Sequence, residues 1–212
     1  MHINGKCFLM VRNNKIRLLD IPHVSTRVDL FEANISQNGT IIVAPERVHR
    51  DSGHRFAVWA TAILKIADFP VQLIIPHTGQ AARDVFRFAD RGGFGKIVHL
   101  LPVDKMIPVG LKIADIALFL QPRCSSTKEI SDTIANRPPS PVMLATLSEG
   151  IPLIVADTPI SRYWFRSGRN ALLVKHDNPR QIAQAMMKLI EDESFAKRVG
   201  LAGKELSACF AK

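Results

Sequence analysis

The sequence predicts an α/β fold: a single doubly wound, Rossmann-like domain built on a parallel sheet. Two observations carry that prediction. From residue 40 onward, short apolar runs alternate with longer stretches of helical period. Several of the short runs are apolar at every position, as strands covered on both faces of a parallel sheet must be. Alternation of this regularity marks strand–helix–strand units wound to both sides of one sheet.

Residues 1–39 are polar and weakly periodic, and read as a linker segment with an extended stretch, "IPHVSTRVDLF" (21–31). The domain proper is placed at 40–212. Its first strand is "TIIVA" (40–44), followed by a helical pattern over 54–67 with Phe56, Trp59, Ala60, Ile63 and Ala67 on one stripe. The strands "VQLII" (71–75) and "KIVHL" (96–100) come next, with "RGGFGK" (91–96) turning the chain into the second. "DIALFL" (115–120) is the fourth strand. A helix then starts at Ser140-Pro141, because Ser is a good N-cap and Pro suits the first helical position, where its missing N–H costs nothing. "PLIVA" (152–156) and "ALLV" (171–174) complete the strands. Two helices close the chain: 179–191 with Ile182, Met186, Leu189 and Ile190 in register, and about 194–208 with Phe195, Val199, Ala202 and Leu206.

The chain has 212 residues, long enough to bury a real core. Hydrophobic residues make up 47% and charged residues 22%, a globular rather than a disordered balance. A net charge of +9 favours anionic partners. The basic residues are interleaved with acids, without a basic tail or an aromatic platform, so nucleic acid is not the expected partner. Cys7, Cys124 and Cys209 are odd in number and far apart, which suggests neither a disulfide framework nor a metal site and fits a reducing, cytoplasmic setting. The histidines show no paired ligand spacing, and no metal is expected. No secretory signal pattern is visible, and no window holds the roughly 20 apolar residues of a membrane span. Contact with a membrane surface stays open as an expectation. Dehydrogenase and hydrolase readings fail, since "RGGFGK" lacks the strand-before, helix-after setting and no Gly-x-Ser-x-Gly turn is present.

Folds of this class bind ligands outside the carboxyl ends of their strands. Four segments fall there: "PERVHRDSGH" (45–54), "PHTGQ" (76–80), "QPRCSSTKEISDTIANRPPS" (121–140) and "DTPISRYW" (157–164), each read as a loop. The helix start at Ser140–Met143 is the physical candidate for an anion, because backbone N–H groups and partial positive charge converge at a helix N-terminus. In the first loop Arg47 is suited to bidentate contact with phosphate oxygens. Arg50 and His54 could add positive charge there.

Five segments, in order, resemble one family. "HVSTRVDLF", "IIVAPERVHRDSGHRFAVWATAI", "ADIALFLQP", "LSEGIPLIVADTP" and "SGRNALLVKHDNPRQIAQAMMKLIEDESFAKRVGLAG" are similar to stretches of the C-terminal, nucleotide-sugar-binding half of GT-B glycosyltransferases, of the retaining, family 4-like group. The resemblance covers residues 21–208. It implies a nucleoside-diphosphate sugar as donor, transfer of a hexosyl group to an acceptor hydroxyl, no metal, and an acceptor-binding partner that is an N-terminal domain or separate subunit.

Carried over by position, the resemblance makes Arg47 the catalytic cation and a donor-binding residue, with Gly53 retained and Ser52 where the family has a Lys. Ser140, Val142, Met143 and Ala145 fall at the donor helix. The family's Glu-x7-Glu acids would stand near Arg137, a cation that could bind phosphate directly, and at Ala145, neither of which is acidic. Glu129 and Asp132 are weaker substitutes in the long loop. Asp115 matches a family Asp at a strand start, where a structural role is expected. The departures leave an alternative: a non-catalytic nucleotide- or phosphosugar-binding relative, or a scaffold that needs a separate partner domain.

Overall fold

The structure, a computed structural model, describes residues 9–12, 15–18, 35, 39–121 and 139–210. Strands β1 (Leu9–Arg12) and β2 (Lys15–Leu18) pair antiparallel, apart from the main sheet. The segment expected to be extended at 21–31 lies outside the described residues.

The main sheet holds β3 (Thr40–Val43), β4 (Val71–Pro76), β5 (Val98–Leu101), β6 (Ile116–Phe119), β7 (Leu153–Ala156) and β8 (Leu172–Val174). Its order is β5-β4-β3-β6-β7-β8 and every pairing is parallel. The six strand expectations therefore hold to within two or three residues at their ends. In β4, β6 and β7 every residue is buried, as strands sandwiched between two helical layers must be. The chain winds outward from β3 to β5, crosses back, and winds the other way from β6 to β8. The sheet's switch point is thus the seam between β3 and β6.

Around the sheet lie α1 (His54–Ile66), α2 (Gln80–Arg91), a single turn α3 (Val103–Lys105), α4 (Pro141–Ser148), α5 (Pro159–Trp164), α6 (Pro179–Glu191) and α7 (Glu193–Ala208). Two cores result. One gathers α1, α2 and α6 on one face of the sheet, with Leu64, Val85, Ile182 and Met186 at its centre. The other lies beneath α4, with Leu111, Leu144, Leu147 and Phe165. Helix α7 approaches the turn before β7 so closely that a Cβ on Gly200 would stand 2.1 Å from the Gly150 carbonyl oxygen.

Three expectations need correction. Helix α1 turns a different stripe inward: His54, Ala57, Val58, Ala60, Thr61, Ala62 and Leu64 are buried, while Trp59 and Ile63 are 50% and 36% exposed. Small residues face the sheet because the helix sits close to it, and the Thr61 hydroxyl is satisfied by the Ala57 carbonyl at 2.9 Å. On α7 the inward face runs through Phe195, Val199, Gly200 and Gly203, with Ala202 and Leu206 only partly buried. The stretch 157–164 is not a loop: the Thr158 hydroxyl accepts the Ser161 N–H at 3.1 Å, and α5 starts with Pro159 at its first position. Among the described residues, no helix is long and apolar enough to cross a membrane.

Candidate functional site

The switch point places two segments from opposite halves of the sheet side by side. The loop 45–53 leaves the carboxyl end of β3, and α4 begins beyond the carboxyl end of β6. Ligands of doubly wound folds bind in the crevice between such segments.

The first loop is pinned from below. His54 is 3% exposed, with Nε2 3.1 Å from the Ala44 carbonyl oxygen and Nδ1 2.6 Å from Ser52 Oγ. A carbonyl only accepts, so Nε2 carries the proton and Nδ1 is an acceptor facing Ser52 Oγ, whose single hydroxyl proton is shared with the His49 carbonyl oxygen at 2.7 Å. Ser52 Oγ in turn accepts the His49 N–H at 3.0 Å. Burial holds the imidazole down to about 4 from its ordinary 6.5, against the opposing hydrogen bond with Ala44. His54 is therefore a neutral anchor, and of the two residues that could add charge to this loop only the exposed Arg50 can do so. Ser52 is 2% exposed, and its hydroxyl faces inward to His54. The position where the family has a Lys thus serves the loop's own structure.

Gly53 has φ +77, and a Cβ there would stand 2.6 Å from the Leu120 carbonyl oxygen. The glycine is needed for the turn and for close packing on β6. A second brace comes from the loop after β4, where Thr78 Oγ1 accepts the Val48 N–H at 3.2 Å. Beside it, Gly79 has φ +88, and a Cβ there would meet nothing within 4 Å, so space at that turn is open. On this braced loop Arg47 is exposed, and its carbonyl lies 3.5 Å from Gln121 Nε2. It forms no ion pair among the described residues.

Across the seam, Ser140 caps α4 as expected: its Oγ accepts the Met143 N–H at 3.2 Å, with Pro141 next. The same hydroxyl donates to Glu46 Oε1 at 2.6 Å, joining loop and helix over 94 residues of chain. In the sequence Glu46 is only a neighbour of Arg47, and nothing in the spacing signals this contact.

The helix start is less open than a bare N-terminus. Pro141 has no N–H, the Met143 N–H is used by the cap, and the Leu144 N–H bonds the Ser140 carbonyl at 2.8 Å. Among the described residues this leaves the Val142 N–H as the first-turn donor without a partner. Val142 and Met143 are partly buried, and Ala145 is buried at 8% exposure, turned toward the core beneath α4. Arg137, Glu129 and Asp132 lie outside the described residues, as do Cys7 and Cys124. Asp115 is at the opposite, amino edge of the sheet, where Oδ2 accepts the Ile41 N–H at 2.7 Å, a structural role as expected.

Between α4 and α5 lies a narrow cleft of about 40 Å³, lined by Glu46, Phe119, Ser140, Met143, Ser161 and Trp164. That is room for a water or two. Among the described residues, no group of three His, Cys, Asp or Glu gathers as a metal site would require.

No protein-family model matches the sequence, and no curated protein matches it either. Solved structures do share its fold. A glycosyltransferase from Rickettsia africae superposes with a TM-score of 0.72 at 13% identity, over 91% of this chain and 48% of that one. The Anabaena HepE protein in complex with UDP-glucose gives 0.68 at 15% identity, over 90% and 50%. The C-terminal domain of a glycosyl transferase group 1 family protein from Francisella tularensis gives 0.65 at 15% identity, over 89% and 93%. The chain thus spans about half the length of the first two and nearly all of the third. At these identities the likeness shows the fold: a parallel, Rossmann-like α/β domain matching the C-terminal domains of GT-B glycosyltransferases.

Proposed function

We propose that this chain is the donor-binding domain of a GT-B glycosyltransferase of the retaining, family 4-like kind. It holds a nucleoside-diphosphate sugar, and the hexosyl group passes to an acceptor hydroxyl presented by a second domain or subunit. The observation that carries the reading is the meeting of the Arg47 loop with the start of α4 across the switch point. A structural neighbour solved with UDP-glucose lends it support.

In this reading the exposed Arg47 guanidinium and the Val142 N–H face the diphosphate. As the bond from sugar to diphosphate breaks, negative charge grows on the leaving phosphate, and both groups stabilise it in place. The reaction then asks for no metal, since fixed donors meet the charge. Ser52 and His54 act one step away, holding the loop that carries Arg47. Gly53 sets the turn, and Arg137 remains a candidate phosphate partner.

A second reading, a non-catalytic binding or scaffold relative, is favoured by one observation. Glu46 puts a carboxylate on the cap where a phosphate would sit, while the acid of the family pattern is replaced at Ala145.

Thermal-shift titration of the chain with UDP, GDP, ADP and inorganic diphosphate separates donor binding from a scaffold role. At 100 times its dissociation constant, a ligand stabilises by about 2.7 kcal/mol. Saturable stabilisation by one nucleoside diphosphate, reduced at least about tenfold in affinity by Arg47→Ala, is the expected result. No response at millimolar ligand would overturn the donor-binding reading and leave the scaffold.

A further inference from the structure

Away from the carboxyl edge, α1 carries an apolar stripe on its outer surface. Trp59, Ile63 and Ile66 are 50%, 36% and 72% exposed. With Arg55 they fall at helical spacing on the side turned from the sheet. Helix α1 runs back from the end of β3, so Ile66 in its last turn lies about 18 Å from the helix start, toward the amino edge. The stripe is therefore separate from the crevice at the switch point.

The stripe continues into a groove between α1 and α2. Its walls are Val58, Trp59, Ala62, Phe88, Arg91 and Phe94, and it holds about 180 Å³. The Trp59 and Phe88 rings meet edge-on at 5.7 Å, and the Arg55 guanidinium carbon lies 5.8 Å from the Phe88 centroid. Cations thus flank an aromatic, apolar slot. Over residues 54–96 the chain has six Lys and Arg against three Asp and no Glu.

These features select one occupant by charge. A second copy of the chain would bring its own Arg55 and Arg91 against the same residues, at a net charge of +9 per copy. An anionic surface instead pairs with them. Trp is favoured where one end of the ring is apolar and the other wet, and a helix with exposed Ile beside Arg and Lys lies flat in the boundary between headgroups and acyl chains. We propose that the outer face of α1 and α2 docks on an anionic lipid bilayer. Trp59 and Ile66 enter the boundary, the groove takes up apolar groups, and Arg55 and Arg91 meet lipid phosphates. The proposal stands apart from the donor-binding reading and names the surface on which the domain works.

The test is flotation of the full chain with phosphatidylcholine vesicles, with and without phosphatidylglycerol. Trp59 emission is read in a Trp164→Phe background. The expected result is binding to the anionic vesicles with a blue shift, weakened by salt. The double substitution Trp59→Ser with Ile66→Ser lowers the partition coefficient about tenfold or more, and Arg55→Gln with Arg91→Gln lowers both the binding and its salt dependence. All four positions are exposed, so thermal melts should show these variants folded. Absence of flotation at low salt would overturn the proposal. So would binding unchanged by Trp59→Ser with Ile66→Ser, or a dimer in solution that this pair dissolves.

Discussion

Strand β3 is tied at its carboxyl end by His54 and at its amino end by Asp115, and burial acts on the two ties in opposite directions. At the carboxyl end the imidazole is neutral and uses both ring nitrogens, one on Ala44 and one on Ser52. At the amino end a half-exposed carboxylate takes one N–H, from Ile41. Burial pushes the Asp115 carboxyl up, and the Ile41 hydrogen bond only partly opposes it. The difference teaches where the fold has invested in fixed geometry. The end that carries Arg47 is held by a buried His54–Ser52 relay and by a glycine at a left-handed turn. The far end has one side-chain tie, at an exposed carboxylate, beside ordinary backbone pairing such as the Asp115 N–H to the Ile41 carbonyl at 2.8 Å.

The largest effect on this contrast is expected at Gly53. Gly53→Ala meets both a left-handed φ and the Leu120 backbone. It should destabilise by about 4 kcal/mol in urea unfolding, from backbone strain plus overpacking. A loss under about 1 kcal/mol would mean the turn relaxes and the loop is not rigid.

Acid should come next. His54 has a folded value of about 4 against an ordinary 6.5, so between these the unfolded chain binds more protons. The tie is fully present above pH 6.5 and is lost as pH falls toward 4, costing about 3 kcal/mol by linkage. Urea melts across that window should show the slope, and His54→Gln should flatten it. A wild-type slope that survives the substitution would place the proton uptake elsewhere.

Ser140→Ala removes the α4 cap and one partner of Glu46 together, for an expected loss of about 1–2 kcal/mol in the same urea melts. The smallest effect is expected at the amino end. Asp115→Asn keeps an acceptor for the Ile41 N–H and should cost less than about 1 kcal/mol. The raised Asp115 value favours the fold at low pH and loses that contribution as pH rises through it. Removing the group should therefore make stability climb slightly more steeply with pH through the carboxylate range.

Much of the fold is legible in the sequence because burial on two faces leaves an unmistakable trace. Runs such as "VQLII" and "PLIVA" admit few readings other than central strands, and Ser140-Pro141 announces a helix start in two letters. Helix α2 is missing from the expectations although its pattern is present: Ala82, Val85, Phe86 and Ala89 share one face, and Arg83, Asp84, Arg87, Asp90 and Arg91 lie on the other. Helix α5 is hidden by its own Pro159, which reads as a loop signal until Thr158 is seen to cap it. The inward face of α1 is misleading because Trp59, Ile63 and Ile66 point outward, while Ala57, Ala60 and Ala62 join Val58 and Leu64 against the sheet. At the candidate site, Arg47, Gly53 and Ser140 stand out from local pattern. The burial of Ser52 and His54 and the bond from Ser140 to Glu46 do not, since they depend on partners that only the fold brings together.

That last bond has a kinetic consequence. Closing a loop of 94 residues carries a large entropic cost, and contacts so distant in sequence form late, after the local strand–helix units. Glu46 and Ser140 should meet only once the two halves of the sheet have docked along the seam between β3 and β6. A ligand held across that seam would then act on a contact absent from the folding transition state. It should slow unfolding in proportion to its binding energy and leave the folding rate nearly unchanged.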